Sequence, residues 1–358
     1  MKKWLSFVFG FVISIGIIYL LVGQDIGAVG DELSKARYIY ILPTGLFLVI
    51  SLLTRAIRWH FLLNRKVSVL HSFHITNVGY FLSGVLPLRI GDVARAWMTT
   101  RLDEPVAAFT ALSTIVVERL LDMLALLIMM GMMLVLLDVP RELTSIGIVI
   151  AAAAFSGGII LAGIAAKPQW AFNILHRLLA RFPILNRLDL ENRFQHFVDG
   201  IQPMSHPRVA VTVLIWTSFS WFWSLAAGYV LLFMMFDVPT LAATLSLIVF
   251  STMSVAVPAV PGNLGPFEGA VVGGLWIGGM IPAATSPENA PAVVLGVVLH
   301  ALTLTIYVTL GLTGLWVEQA SVRQVTEGAQ EFVHQEPTEL PSSTKAMRSV
   351  DMAQESVS

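Results

Sequence analysis

Long apolar runs alternate with short polar joints along almost the whole chain, and each run has the length of a membrane crossing rather than of a core helix. They fall at Met1–Val22 and near residues 39–61, 108–137, 145–165, 209–236, 241–260, 266–283 and 291–317. Each can cross about 30 Å of hydrocarbon as a helix whose backbone groups bond internally. The pattern predicts an all-α polytopic membrane protein of about eight spans, within a range of six to nine because Pro258 and Pro261 blur the sixth and seventh boundaries. A cleaved secretion signal is the competing reading of the opening segment, but its apolar part is long for one.

Two segments break the pattern. In YFLSGVLPLRIGDVARAW, Tyr80–Trp97, an apolar stretch too short for an easy crossing reaches Pro87 and then turns polar with Arg89, Asp92 and Arg95. Proline removes a donor and disfavours helical geometry in the residue before it, so the helix ends near Leu86 and a re-entrant or broken helix is expected. In STMSVAVPAVPGNLGPFEGAVVGG, Ser251–Gly274, two prolines and the glycines at 262 and 265 mark a turn, after which Glu268 stands in the first turn of a new apolar helix. Both halves thus carry an apolar helix, a proline break, a glycine and an acid opening a new helix. Inverted-topology repeats meeting at a binding site produce such an echo; so do two kinked spans closed by glycine.

Composition agrees with the pattern: 56% of residues are hydrophobic, 13% are charged, and the mean hydropathy is +0.77. A soluble chain would lack the polar surface this requires. The net charge of -1, with no basic stripe interleaved with aromatics, argues against nucleic acid as a partner. With no cysteine there is no thiolate or disulfide chemistry. His71 and His74 lack a carboxylate at metalloprotease spacing, so no metal and no cofactor is expected. Basic residues set the orientation. With the N-terminus cytoplasmic, the inner loops carry Arg65, Lys66, Arg101, Lys167, Arg177, Arg181, Arg187, Arg193 and Arg208, against Lys35, Arg37 and Arg141 outside. Eight crossings return the C-terminus to the cytoplasm. Residues 170–179, WAFNILHRLL, suit a helix at the membrane interface or a plain linker helix. The chain divides into a membrane domain, 1–318, and a polar tail, 319–358, expected to be disordered.

Charge inside the apolar runs carries the chemistry. Glu118, Arg119 and Asp122 sit near the start of the 108–137 run, where ionisable groups are costly unless paired, wetted or used. Spacing lets Arg119 reach Asp122 at i+3, and leaves a negative charge that Arg89 or Arg95 can meet. Arg55 and Arg58, also three apart, are placed to snorkel to headgroup depth and hold a phosphate, for which the planar guanidinium fork is suited; plain positive-inside anchoring is the alternative. A lateral groove lined by Arg89, Asp92, Arg95, Glu118, Arg119, Asp122 and Glu268, with Arg55 and Arg58 making the initial headgroup capture, would lower the cost of carrying a lipid headgroup across the bilayer. No catalytic constellation is complete.

At Tyr80–Trp97, at TALSTIVVERLLDMLALL from Thr110 to Leu127, and at VPAVPGNLGPFEGAVVGG from Val257 to Gly274, the chain resembles the transmembrane region of the lysylphosphatidylglycerol synthase family, over roughly Lys3–Val317. Familiar synthases join this region to a cytoplasmic aminoacyl transferase. Without that platform, the resemblance implies a non-enzymatic, flippase-like role in the cytoplasmic membrane: translocation of a phospholipid or related amphipathic or isoprenoid lipid. A scaffold for enzymes of a lipid pathway and an intramembrane lipid-modifying enzyme are the alternative readings.

Overall fold

The computed structural model describes residues 26–85, 90–137, 167–181, 190–254, 261–284 and 287–334, with Gly16 and scattered helical positions between 145 and 164. The first expected span and most of the one at 145–165 therefore lie outside the described residues, as does Arg89.

Every regular element described is helical. In chain order they are α1 (Ile26–Lys35), α2 (Ile41–Leu62), α3 (Val69–Val85), α4 (Gly91–Thr99), α5 (Ala108–Leu136), α6 (Pro168–Arg181), α7 (Leu190–Ile201), α8 (Pro207–Leu232), α9 (Leu241–Ser254), α10 (Pro266–Ile277), α11 (Ala290–Val317) and α12 (Val322–His334). Four stretches, Tyr38–Leu62, Ala108–Leu136, Pro207–Leu232 and Ala290–Val317, are long and apolar enough to cross a membrane. This is a multi-pass helical membrane protein.

The sixth expected span is described only over its first part, Leu241–Ser254, and the seventh carries a helix over Pro266–Ile277. The described helices α9 and α10, of 14 and 12 residues, rise about 21 and 18 Å. They pack against each other as a hairpin. Pro261 and Pro266 bracket a turn in which Gly262 and Gly265 have φ of 81° and 91°, conformations that only glycine adopts freely. Helices α3 and α4, on either side of residues 86–89, also pack against each other as a hairpin.

Each hairpin organises one end of the molecule. The first core gathers Trp59, Leu62, Ile75, Val78, Leu82, Ala94, Ala111 and Leu315 around α3 and α4. The second gathers Leu231, Ala243, Leu247, Val271, Leu275, Val293 and Leu295 around α9 and α10. Helix α11 starts in the second core and ends in the first, so the two cores stand at opposite ends of the bundle. Between them α2 lies along α8, and α3 along α11.

Close approach within the hairpins depends on small residues, the usual device where lipid tails compete with side chains for helix surfaces. A Cβ on Gly91 would lie 2.0 Å from the Gly79 carbonyl oxygen, and one on Gly274 would lie 2.9 Å from that of Ser246. The breaks also meet: a Cβ on Gly262 would be 3.8 Å from the carbonyl oxygen of Gly84. Beyond residue 318 the chain differs from the expected disordered tail. Helix α12 buries Val325 and Ala329, sets Gly328 against the Trp97 indole, and packs on α4. Its apolar positions recur at helical spacing, a signal the polar average of the tail conceals.

Candidate functional site

Seven ionisable side chains from three helices, α2, α4 and α5, form one alternating chain: Arg119, Asp92, Arg95, Glu118, Arg58, Asp122, Arg55. Arg119 on α5 holds the Asp92 carboxylate through Nη2 at 2.7 and 2.9 Å and Nε at 3.2 Å. Asp92 lies 3.7 Å from Arg95, one turn along α4. Arg95 Nη2 donates to Glu118 at 2.7 Å, and the other Glu118 oxygen accepts from Arg58 Nη2 at 3.3 Å. Arg58 Nη1 donates to Asp122 at 2.7 Å, and Asp122 closes the series with Arg55 at 3.4 Å.

Local sequence explains the geometry. Glu118 and Asp122 share a face of α5 at i+4, and Arg55 and Arg58 share a face of α2 at i+3. Gly79 makes room for Arg95, since a Cβ there would come within 2.6 Å of that side chain's Cγ and Cδ. Aromatic rings brace the cations: Arg95 lies 4.2 Å over the Trp59 ring and Arg55 5.1 Å over Trp221. Trp221 Nε1 also donates to Asp122 at 3.3 Å, and Thr217 on α8 accepts from Arg58 at 3.4 Å.

Burial is deepest at the centre and least at the ends. The Arg58 side chain is 1% exposed, Arg55 is 15% exposed and Arg119 is 44% exposed. Four guanidinium groups face three carboxylates, so the described chain carries one excess positive charge. The Nε atoms of Arg58 and Arg95 are buried without a partner among the described residues.

The structure brings together Arg55, Arg58, Asp92, Arg95, Glu118, Arg119 and Asp122, with three corrections to the sequence reading. Arg119 pairs with Asp92 rather than with Asp122, because Asp122 faces α2 and is taken by its two arginines. Arg58 does not snorkel outward; it is the buried middle of the chain. Glu268 has no ion pair with this cluster. It caps α10 by accepting the Gly265 N–H at 2.7 Å, and its other oxygen meets His300 Nδ1 at 2.6 Å. That pair is linked to the cluster only along α11, where Tyr307 stands seven residues, or about 10 Å, beyond His300.

Sequence reasoning missed His300, Trp59, Trp221, Tyr80 and Tyr307. The two tyrosines stack across the molecule, α3 against α11, with ring centroids 5.2 Å apart and planes at 15°. Only contact between distant elements could have found them, since an isolated tyrosine in an apolar run carries no spacing signal. Among the described residues no group of three or more His, Asp or Glu side chains forms a metal site.

Fold and site together define a helical membrane protein with a buried polar seam beside two broken hairpins. The chain belongs to the family described as the lysylphosphatidylglycerol synthase TM region, whose model matches residues 7–311. It is a flippase-like lipid translocation domain, and the matched part is the membrane region, distinct from the aminoacyl transferase module. No curated protein and no solved structure matches the chain.

Proposed function

We propose that this protein carries a phospholipid or related amphipathic or isoprenoid lipid between the leaflets of the cytoplasmic membrane, with the headgroup passing along the charge chain while the acyl or prenyl tails stay in lipid. The observation that carries the reading is the alternating series from Arg119 to Arg55, buried at Arg95, Glu118 and Arg58 and most exposed at Arg119. A headgroup there exchanges water for fixed ionic partners, which lowers the desolvation barrier that isolates the leaflets. Glu268 and His300 hold the second hairpin in register.

The two halves act as inverted repeats. Each runs long helix, hairpin, long helix: α2, α3–α4, α5 and then α8, α9–α10, α11. Their hairpins enter from opposite ends, and two hairpins in place of two spans leave six crossings and both termini cytoplasmic, in keeping with the basic inner loops. Single cysteines at Gly30, Pro140 and Val238 should label from outside, and ones at Lys66, Leu190 and Gln335 should not. Labelling at position 190 overturns the orientation.

Transport is tested in proteoliposomes containing acyl-labelled lipids, by the fraction of label that an impermeant quencher reaches. The protein should expose the inner-leaflet label of at least one lipid class, and Glu118→Gln should slow it. No acceleration for any class rejects translocation. Specific capture of one lipid-modifying enzyme by such an inactive protein would favour the scaffold reading instead.

A further inference from the structure

Helix α6 has two faces of different chemistry, and only one of them is spent on the fold. On that side Ala171 is buried and Phe172, Leu175 and Leu179 are half-buried. Phe172 meets Phe194 of α7 edge-on with ring centroids 5.0 Å apart, and His176 Nε2 lies 3.0 Å from a Glu191 oxygen. The other side is open. At 3.6 residues per turn, Lys167, Trp170, Ile174, Arg177 and Arg181 fall within an arc of about 80°. All five are exposed, Trp170 at 57% and Ile174 at 37%. No acid lies on α6, and the Glu191 carboxylate beside it is turned to His176. This cationic and apolar face stands where the membrane body begins. Helix α7 lies along α5: a Cβ on Gly200 would come 2.5 Å from the Thr110 carbonyl oxygen in the first turn of α5, and Arg193 lies 5.1 Å over the Phe109 ring. A single turn, Gln202–Ser205, then leads into α8 at Pro207. Since α5 and α8 are both of membrane-crossing length, α7 is fixed at the mouth of two spans and α6 is held against it.

We infer that the face of α6 formed by Lys167, Trp170, Ile174, Arg177 and Arg181 docks on the headgroup layer of the membrane that the protein spans, and that it binds anionic phospholipid there in preference to zwitterionic phospholipid. Side-chain chemistry leads to it. An indole settles at headgroup depth, with its apolar body in the acyl boundary and its N–H in the wet layer, and Ile174 one turn on adds apolar area beside it. Three cations on the same arc meet the negative potential of an anionic leaflet while their heads remain hydrated. Packing against another protein chain suits the face less well, because three like charges around two apolar side chains would have to leave water without a carboxylate to receive them. The leaflet also needs no recruitment, since α7 already stands at the level where two spans enter it. The surface lies apart from the ion chain, and the inference does not depend on the translocation reading.

The test reads the depth of α6 in vesicles, using the full chain. The sequence has no cysteine, so Ile174→Cys gives a unique attachment point for an apolar, environment-sensitive fluorophore. In phosphatidylcholine vesicles with about a third phosphatidylglycerol, a lipid spin-labelled near its headgroup should quench that fluorophore at least about twofold more than in pure phosphatidylcholine. Lys167→Gln with Arg177→Gln and Arg181→Gln should bring the two vesicle types to equal quenching. Salt at about 0.5 M should remove most of the difference without these substitutions, so a misfolded variant cannot stand in for the result. Trp170→Ala should instead lower quenching in both vesicle types, because it removes apolar contact and no charge. Equal quenching in the two vesicle types at low salt overturns the preference for anionic lipid. Quenching by aqueous iodide and not by the spin-labelled lipid, in both vesicle types, overturns docking on the membrane. Neither of these results bears on whether the protein moves lipid between leaflets, which the exchange assay reads separately.

Discussion

Helices α3–α4 and α9–α10 are each a helix, a break and a shorter returning helix, and each hairpin precedes a long helix with an ionisable residue at its eleventh position, Glu118 counted from Ala108 and His300 counted from Ala290. In the first half that residue anchors a seven-member ion chain; in the second it meets a single carboxylate, Glu268, which also caps its own helix. The backbone plan is shared and the chemistry is not. Each half carries a hairpin, and among the described residues the ion chain runs through the first hairpin and not the second; on the proposed translocation, the charges a headgroup would use belong to one half. The other copy keeps enough polarity to close its own helix end and to fix α10 against α11.

The sharpest way to break this contrast is to remove the central carboxylate of each half. Glu118→Leu removes the carboxylate shared by two buried arginines, leaving Arg95 only the long 3.7 Å contact with Asp92 while Arg58 keeps Asp122, and should cost about 3–5 kcal/mol, enough to lose a monodisperse protein in detergent. Glu118→Gln keeps acceptor and shape and should retain more of the fold. Glu268→Leu strands no arginine, so its loss of thermal stability should be visibly smaller. Equal losses for the two leucine variants would mean that the second pair matters to the fold as much as the whole ion chain.

Next comes hairpin closure. Gly91→Ala sets a methyl against a backbone oxygen at 2.0 Å, with no flexible side chain to move aside, while Gly274→Ala meets one at 2.9 Å. Overpacking of this kind costs about 1–3 kcal/mol. The first substitution should sit at the upper end of that range and also slow lipid exchange, because α4 carries Asp92 and Arg95. The second should lower the melting temperature less and leave exchange rates near those of the wild-type protein.

How much of this was written in the chain depends on the range of the interaction. The turn at Gly262 and Gly265, the buried charges and the four long apolar helices among the described residues follow local rules, and all were legible. So was the family, through the Val-Glu-Arg-x-x-Asp stretch beside the Pro87 segment. Partner choice was not legible. Arg119 reaches Asp92 across two helices instead of Asp122 one turn away, because α2 brings two further arginines to Asp122. The hairpin packing of α9 on α10 was not legible either, because hydropathy records length and not the turn that brings two apolar runs together. Tyr80 and Tyr307, 227 positions apart, become neighbours only when α3 lies along α11.

A milder test uses the Glu268 cap alone. Glu268→Gln keeps an oxygen for the Gly265 N–H and loses the charge that faces His300, so the expected cost is about 0.5–1.5 kcal/mol. Lipid exchange should fall little, since the residue stands outside the ion chain. A tenfold loss of exchange with the melting temperature unchanged would show that the second hairpin takes part in passage through its charge, and the contrast between the halves would then be one of degree.

The smallest effect is expected where the two hairpins differ in their surroundings. Helix α12 packs on α4, with Gly328 so close to the Trp97 indole that a Cβ would lie 2.1 Å from its ring, and the Phe332 ring lies 5.2 Å from that of Phe109 on α5, tilted at 53°. Gly328→Val should therefore lift α12 off the first hairpin without touching the ion chain or the second hairpin. Trypsin should then cut after Arg323 several times faster, because the residues around it leave a packed helix for solvent. Thermal stability should fall by no more than about 1 kcal/mol, since α12 contributes only Val325 and Ala329 to the buried residues of the first core. If exchange rises in this variant, α12 restrains the charged hairpin. If exchange is unchanged while cleavage accelerates, the helix is a cover and the difference between the halves lies wholly in the charges they bury.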